Sequence, residues 1–197
     1  MTIDLPPSQD ARFVEAQRLF DAGDLTAAEV LYAALAQAAP QNWQPPSQLG
    51  HCARRRGEHE AALIQFRHAA SLAPNDAIRH LELADTLRDL HRLDEAAVAY
   101  TRSLAHAPAL IWAHIGLAWC GRSLGNHELA LRHFTEVAQR APNDPLRHCD
   151  AADSLRDLGR ITDAETTYRH VLTLAPDFVA AHVGLGFCAR ARGHIAT

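Results

Sequence analysis

Five prolines, Pro40, Pro74, Pro108, Pro142 and Pro176, stand 34 residues apart. A fixed period of that length constrains the fold more than chain length does, because it makes the chain an array of one supersecondary unit. A small residue recurs twelve positions before each proline, at Ala28, Ala62, Ala96, Ala130 and Ala164. An aromatic ring recurs eight positions before, at Tyr32, Phe66, Tyr100, Phe134 and Tyr168. In the stretch from Asn75 to Pro108 the unit reads as two amphipathic helices, a tight turn between them, and a proline that ends the second. Ala62, Phe66 and Ala69 fall at i, i+4 and i+7, on one helical stripe. The small residue lets two helices approach and the ring fills the wedge they leave. First helices carry a stripe of their own, such as Leu49, Gly50 and Ala53, or Leu83, Ala84 and Leu87.

Turn chemistry agrees with the period. Gly23, Gly57, Gly125, Gly159 and Gly193 are predicted just past first-helix ends, where positive φ favours a residue without Cβ. The third pair has His91 there, so the reading predicts a non-glycine residue at positive φ, at a cost of about 1 kcal/mol. Asp76 and Asp144 are N-cap candidates, Pro145 suits a first helical position, and Pro45 and Pro46 suit the start of the helix behind the Pro40–Pro46 linker. A second period overlies the first. APNDAIRHLELADTLRDL returns 68 residues later as APNDPLRHCDAADSLRDL, and LGHCARRRG as LAWCGRSLG and LGFCARARG.

Composition excludes several function classes. The net charge of −4 argues against a nucleic-acid binder, which needs an excess of cations. No apolar run approaches the roughly eighteen residues of a membrane span. The opening MTIDLPPSQD lacks the basic and apolar parts of a signal peptide, so the expected setting is cytoplasmic. Cys52, Cys120, Cys149 and Cys188 are then expected as thiols. No cofactor or metal is expected: His51-Cys52 and His148-Cys149 are adjacent and diverge on a helix, and no C-x-x-C or H-x-x-x-H occurs. No nucleophile–base set or glycine-rich phosphate loop appears, so the chain is not expected to be an enzyme.

A 34-residue helix-turn-helix with a Leu-Gly or Leu-Ala pair, a glycine turn, alanine, aromatic and final proline resembles the tetratricopeptide repeat. The resemblance covers repeats 9–42, 43–76, 77–110, 111–144 and 145–178 and a half repeat 179–197, behind a flexible lead-in over residues 1–8. It implies an all-α, right-handed α-solenoid of about five and a half repeats. Where the family usually has Trp in the first helix, this chain has Arg12, Pro46, His80, His114, His148 and His182. The four histidines are expected to fill core space in the neutral form.

In that family, first helices line a concave groove with the second, fifth, ninth and twelfth residues of each repeat. Carried over, this implies a ladder of Arg54, Arg88, Arg122, Arg156 and Arg190, whose forks suit carboxylates. Asp85, Asp89, Asp153 and Asp157 lie beside it, alternating with His51, Trp119 and Phe187. Ile78, Leu81, Trp112, Ile115, Leu146 and Val183 form an apolar margin, with Trp112 and Trp119 as anchors. Two readings of the ladder stay open. The arginines contact a ligand, or each pairs with an Asp of its own or the adjacent repeat. Asp85 and Asp153, at i−3, favour pairing for Arg88 and Arg156, whereas Arg54, Arg122 and Arg190 have no acid so near. With no lysine in the chain, the family's clamp for acidic chaperone tails is not reproduced.

The expected function is a scaffold that binds an acidic and apolar peptide segment of another protein. The last helix lacks a polar outer face, and RGHIAT resembles the start of a further helix. Two alternatives follow: a module that self-associates through its C-terminal end, or the substrate-positioning N-terminal part of a longer enzyme.

Overall fold

The computed structural model describes residues 11–195, with side chains to residue 193, and all eleven elements there are α-helices. They fall into two compact units, divided in sequence between Pro108 and Ala109. The lead-in over residues 1–8, the first residues of the first repeat and Ala196–Thr197 lie outside the described residues.

The first unit holds α1 (Ala11–Ala22), α2 (Leu25–Ala38), α3 (Gln44–Arg55), α4 (His59–Leu72), α5 (Ala77–Asp89) and α6 (Leu93–His106). They form three antiparallel pairs, and α2 and α4 also pack against the first helix of the next pair. The second unit holds α7 (Ile111–Ser123), α8 (His127–Arg140), α9 (Pro145–Asp157), α10 (Ile161–Leu174) and α11 (Val179–Ile195). Here α7/α8 and α9/α10 are pairs, and α11 packs against α10 and, more lightly, α9.

Local chemistry sets the helix ends. The side chains of Asp76 and Asp144 accept backbone N–H bonds from Ile78 and Leu146, and Asp24 and Asn126 cap α2 and α8 in the same way. Pro145 opens α9, and Pro45 and Pro46 sit in the first turn of α3. Each of the second helices α2, α4, α6, α8 and α10 is followed by a C-capping alanine and then the periodic proline. Gly23, Gly57, Gly125 and Gly159 have positive φ, and so does His91, at 58°. Gly193 differs from its expected role: α11 runs on through it to Ile195, so no turn forms there.

Tyr32, Phe66, Tyr100, Phe134 and Tyr168 are fully buried, as are the five periodic alanines. Cys52, Cys120 and Cys188 are small buried hydrophobes, and none of the four cysteines is in a disulfide. Burial pushes the Cys149 thiol up to about 12. The histidines divide. His80 and His114 are buried, whereas His148 is half-buried and His182 exposed. The rings of His80, His148 and His182 donate Nε2–H to the carbonyls of Pro74, Pro142 and Pro176, at 2.7, 2.9 and 2.8 Å. They tie the inter-pair loop to the next helix instead of filling the core. Burial then follows whatever second helix lies over the ring: His106 of α6 stacks on His80, and His170 of α10 meets His148 edge-on.

Candidate protein-interaction face

In the first unit, α3 and α5 bring Arg54, Arg88, Asp85 and Asp89 together. Arg54 Nη2 lies 3.3 Å from Asp89 Oδ2, and Arg88 Nη2 lies 3.5 Å from Asp85 and 3.8 Å from Asp89. The Tyr100 hydroxyl donates to Asp85 Oδ1 at 2.6 Å, fixing that carboxylate from the core side. Deeper in the same face, Glu82 is 9% exposed. It accepts from Ser47 Oγ at 3.1 Å and Arg79 Nη1 at 2.8 Å, and meets His51 Nε2 at 3.0 Å. The Arg79 guanidinium stacks on the Trp43 ring, 4.2 Å from its centroid. His51 is therefore committed to Glu82, and this face is a neutralised polar lattice.

The second unit repeats the lattice and changes its lining. Arg122 Nε meets Asp157 Oδ2 at 3.0 Å, and its Nη1 lies 3.7 Å from Asp153. Arg156 reaches the same two carboxylates at 2.9 and 3.1 Å. Two guanidiniums share two carboxylates, so the charges cancel. The Tyr168 hydroxyl donates to Asp153 Oδ1 at 2.5 Å, and burial, reinforced by that carboxylate, raises its pKa far above the ordinary tyrosine value. Aromatic rings flank this quartet. Arg122 lies over Trp119 at 5.6 Å, and Phe187 is approached by Arg156 at 5.5 Å and Arg190 at 5.3 Å. Arg190 meets no carboxylate among the described residues. Trp112 is 64% exposed, Trp119 40% and Phe187 43%, with Leu146 and Val183 exposed beside them. Trp119 is held in place by an edge contact with the buried Phe134 ring at 5.6 Å.

The structure thus places the sequence-derived site residues unequally. Arg54 and Arg122 do have acids, supplied 35 residues along by the next first helix. Ile115, expected in the apolar margin, is only 8% exposed. It stands at the fifth position of its repeat, where Ser47 bonds Glu82 of the neighbouring first helix, so this position faces the adjoining helix and not an incoming ligand. Trp43, Ser47, Arg79 and Glu82 were not singled out from sequence, although Arg79 and Glu82 carried a legible i, i+3 signal. Asp150, the counterpart of Glu82, has its pKa pushed up to about 6 by burial, opposed by Arg147 at 3.3 Å. His114 and His133 face each other through their Nδ1 atoms at 2.8 Å, so one donates and the other accepts. Burial and then His114 hold His133 down at about 4.

The second unit also has a cavity of ≈ 520 Å³ between α8, α9 and α10, lined by Leu131, Ala138, Pro142, Ala151 and Leu155. At the same repeat positions the first unit has ≈ 230 Å³, because Leu83 and Arg67 stand where the second unit has Ala151 and Thr135. Among the described residues no three His, Cys, Asp or Glu converge on a metal site, and no helix is long and apolar enough to cross a membrane.

Comparison with known proteins agrees with this geometry. Protein O-mannosyl-transferase Tmtc3 of Drosophila melanogaster is 25% identical over 138 residues, which is 70% of this chain and 13% of that protein. The chain therefore spans about an eighth of the length of that relative. Among solved structures, a tetratricopeptide repeat protein from Parabacteroides merdae superposes with a TM-score of 0.80 at 19% identity, over 95% of this chain and 75% of that one. YrrB, described as a TPR protein with an unusual peptide-binding site, superposes with a TM-score of 0.77 at 16% identity, over 86% and 88%. At these identities the likeness shows the fold. A sequence model of the tetratricopeptide repeat matches residues 14–176, and the chain belongs to that family.

Proposed function

We propose that this chain is a non-catalytic protein-interaction module, and that the first-helix face of its second unit receives a segment of a partner protein. Repeats of this family generally serve as interaction modules. The observation that carries the finer reading is the exposure of Trp112, Trp119, Leu146, Val183 and Phe187 on α7, α9 and α11, around an ion-pair quartet that is already neutral. Large rings held by stacked guanidiniums lose little freedom on binding, which is what an interface anchor needs. The preferred segment is therefore chiefly apolar, with one carboxylate for Arg190. The acidic component expected from the full arginine ladder narrows to that single contact. A cytoplasmic setting is part of the same proposal, supported by four buried cysteines outside any disulfide.

The test is panning of a random peptide library on the whole chain, followed by affinity measurement on the selected peptides. Aliphatic or aromatic peptides with one Asp or Glu are expected. Trp119→Ala combined with Phe187→Ala should weaken them by about tenfold or more while helicity by circular dichroism stays unchanged. Selected peptides that bind the double variant as well as the parent would remove this face from the account.

A further inference from the structure

α11 receives an aromatic ring on one side and presents an equivalent, open seat on the other. Tyr168 of α10 packs over Gly184, where any Cβ would collide with the ring. Two residues further on, Gly186 has nothing within 4 Å of where a Cβ would stand. Gly186 occupies the repeat position of Gly50 in α3 and Ala118 in α7. A Cβ at Gly50 would lie 2.8 Å from the Phe66 ring of α4, and Ala118 clusters with Phe134 and Ala130 of α8. The position three residues on behaves alike. Ala53 clusters with Ala62 and Phe66, and a Cβ at Gly121 would lie 3.2 Å from the backbone nitrogen of Ala130. Its counterpart in α11, Ala189, is exposed. In α7, His114, Ile115, Ala118 and Gly121 are all buried, while in α11 the matching His182, Val183, Gly186 and Ala189 are all exposed.

We propose that this face of α11 is a docking seat for one amphipathic helix of a partner polypeptide, its Phe or Tyr over Gly186 and a small residue four positions earlier against Ala189. The chemistry of the occupant is read from the two pairs in which the same seat is filled, each time by an Ala-x-x-x-Phe helix. A second copy of the chain does not supply it without unfolding, since Ala62, Phe66, Ala130 and Phe134 are already fully buried in their own pairs. Charge adds a preference. α11 contains no Asp or Glu and carries Arg190 and Arg192, of which only Arg192 is paired, with Glu165. An acidic residue on the incoming helix is complementary to it. This surface is separate from the ring-lined face proposed above.

The probe is a peptide with the α4 sequence, His59–Leu72, carrying a side-chain lactam bridge at positions 64 and 68, because an isolated helix of this length is marginal in water. Both bridged positions are exposed in the native pair. Fluorescence anisotropy against the whole chain should show saturable binding. Phe66→Ala in the peptide and Gly186→Leu in the protein should each weaken it by about tenfold or more. Gly186 faces open space, so the Leu variant keeps its fold. Trp119→Ala should leave peptide binding intact. The proposal is overturned by no binding to the parent chain, by equal binding to Gly186→Leu, or by loss of binding in Trp119→Ala, which would place the peptide on the other face. Light scattering that shows a parent dimer and a monomeric Gly186→Leu would give the seat to a second copy, and would overturn it too.

Discussion

Glu82 in the first unit and Asp150 in the second stand at the same repeat position, 68 residues apart, on helices of the same design. Their surroundings are opposite. Glu82 is met by Ser47, His51 and Arg79, with Trp43 stacked on the arginine. In the second unit those places hold Ile115, Trp119, Arg147 and Ile111, and the Asp150 carboxyl keeps one guanidinium. The outer quartet of two arginines and two aspartates is nearly the same in both units. Duplication has kept the lattice that ties neighbouring first helices together and exchanged the groups around it. Polar partners face inward in one unit, and exposed rings face outward in the other.

The comparison is broken most directly at the buried acids. Glu82→Ala leaves Arg79, whose side chain is 11% exposed, without its closest carboxylate. It should destabilise the protein by about 3 kcal/mol in denaturant unfolding. Asp150→Asn should act with the opposite sign, stabilising by about 1 to 3 kcal/mol at pH 7. The folded-state pKa of Asp150 is raised from 3.8 to about 6, so its favourable contribution is complete below pH 3.8 and lost as pH rises through 6. The gain from Asn should therefore vanish near pH 4. Two variants of equal sign at pH 7 would mean that the two environments do not differ as described.

His133 sharpens the same contrast within the second unit. Its pKa is lowered from 6.5 to about 4, so its contribution is present above pH 6.5 and lost as pH falls toward 4. His133→Gln should flatten the acid limb of the unfolding midpoint over that window, whereas an unchanged limb would place the ring in water. A smaller effect is expected at the turns, where His91 and Gly159 are counterparts with φ of 58° and 73°. His91→Gly should stabilise, and Gly159→Ala destabilise, each by about 1 kcal/mol in thermal or denaturant unfolding. Equal and opposite shifts would show that the turn geometry is common to both units.

What was legible in the sequence follows from the range of the forces involved. The prolines, the turn glycines and the positive φ of His91 are decided by steric rules within a few residues, so the period alone placed them. Gly193 shows the limit of that rule. The turn pattern recurs there, yet α11 continues, because the signal predicts a break only when a packed second helix follows. Partners of Arg54 and Arg122 lie 35 residues away on another helix, and no spacing within one helix shows them. The same holds for Glu82, whose ligands Ser47 and His51 are 35 and 31 residues distant. Ile115 was assigned to the surface from the family's facing positions and lies inside, since one residue per repeat on that face turns toward its neighbour.

The central claim is that exposed rings, and not the arginine ladder, provide the binding surface of the second unit. It is tested by titrating salt against the tightest peptide recovered by panning. Between about 50 and 500 mM salt, affinity should fall by no more than about threefold, the screening of one exposed ion pair at Arg190, and Arg190→Ala should abolish that dependence. A steep loss of about a hundredfold, persisting in Arg190→Ala, would show Arg122 and Arg156 leaving Asp153 and Asp157 for the ligand, and would contradict the account.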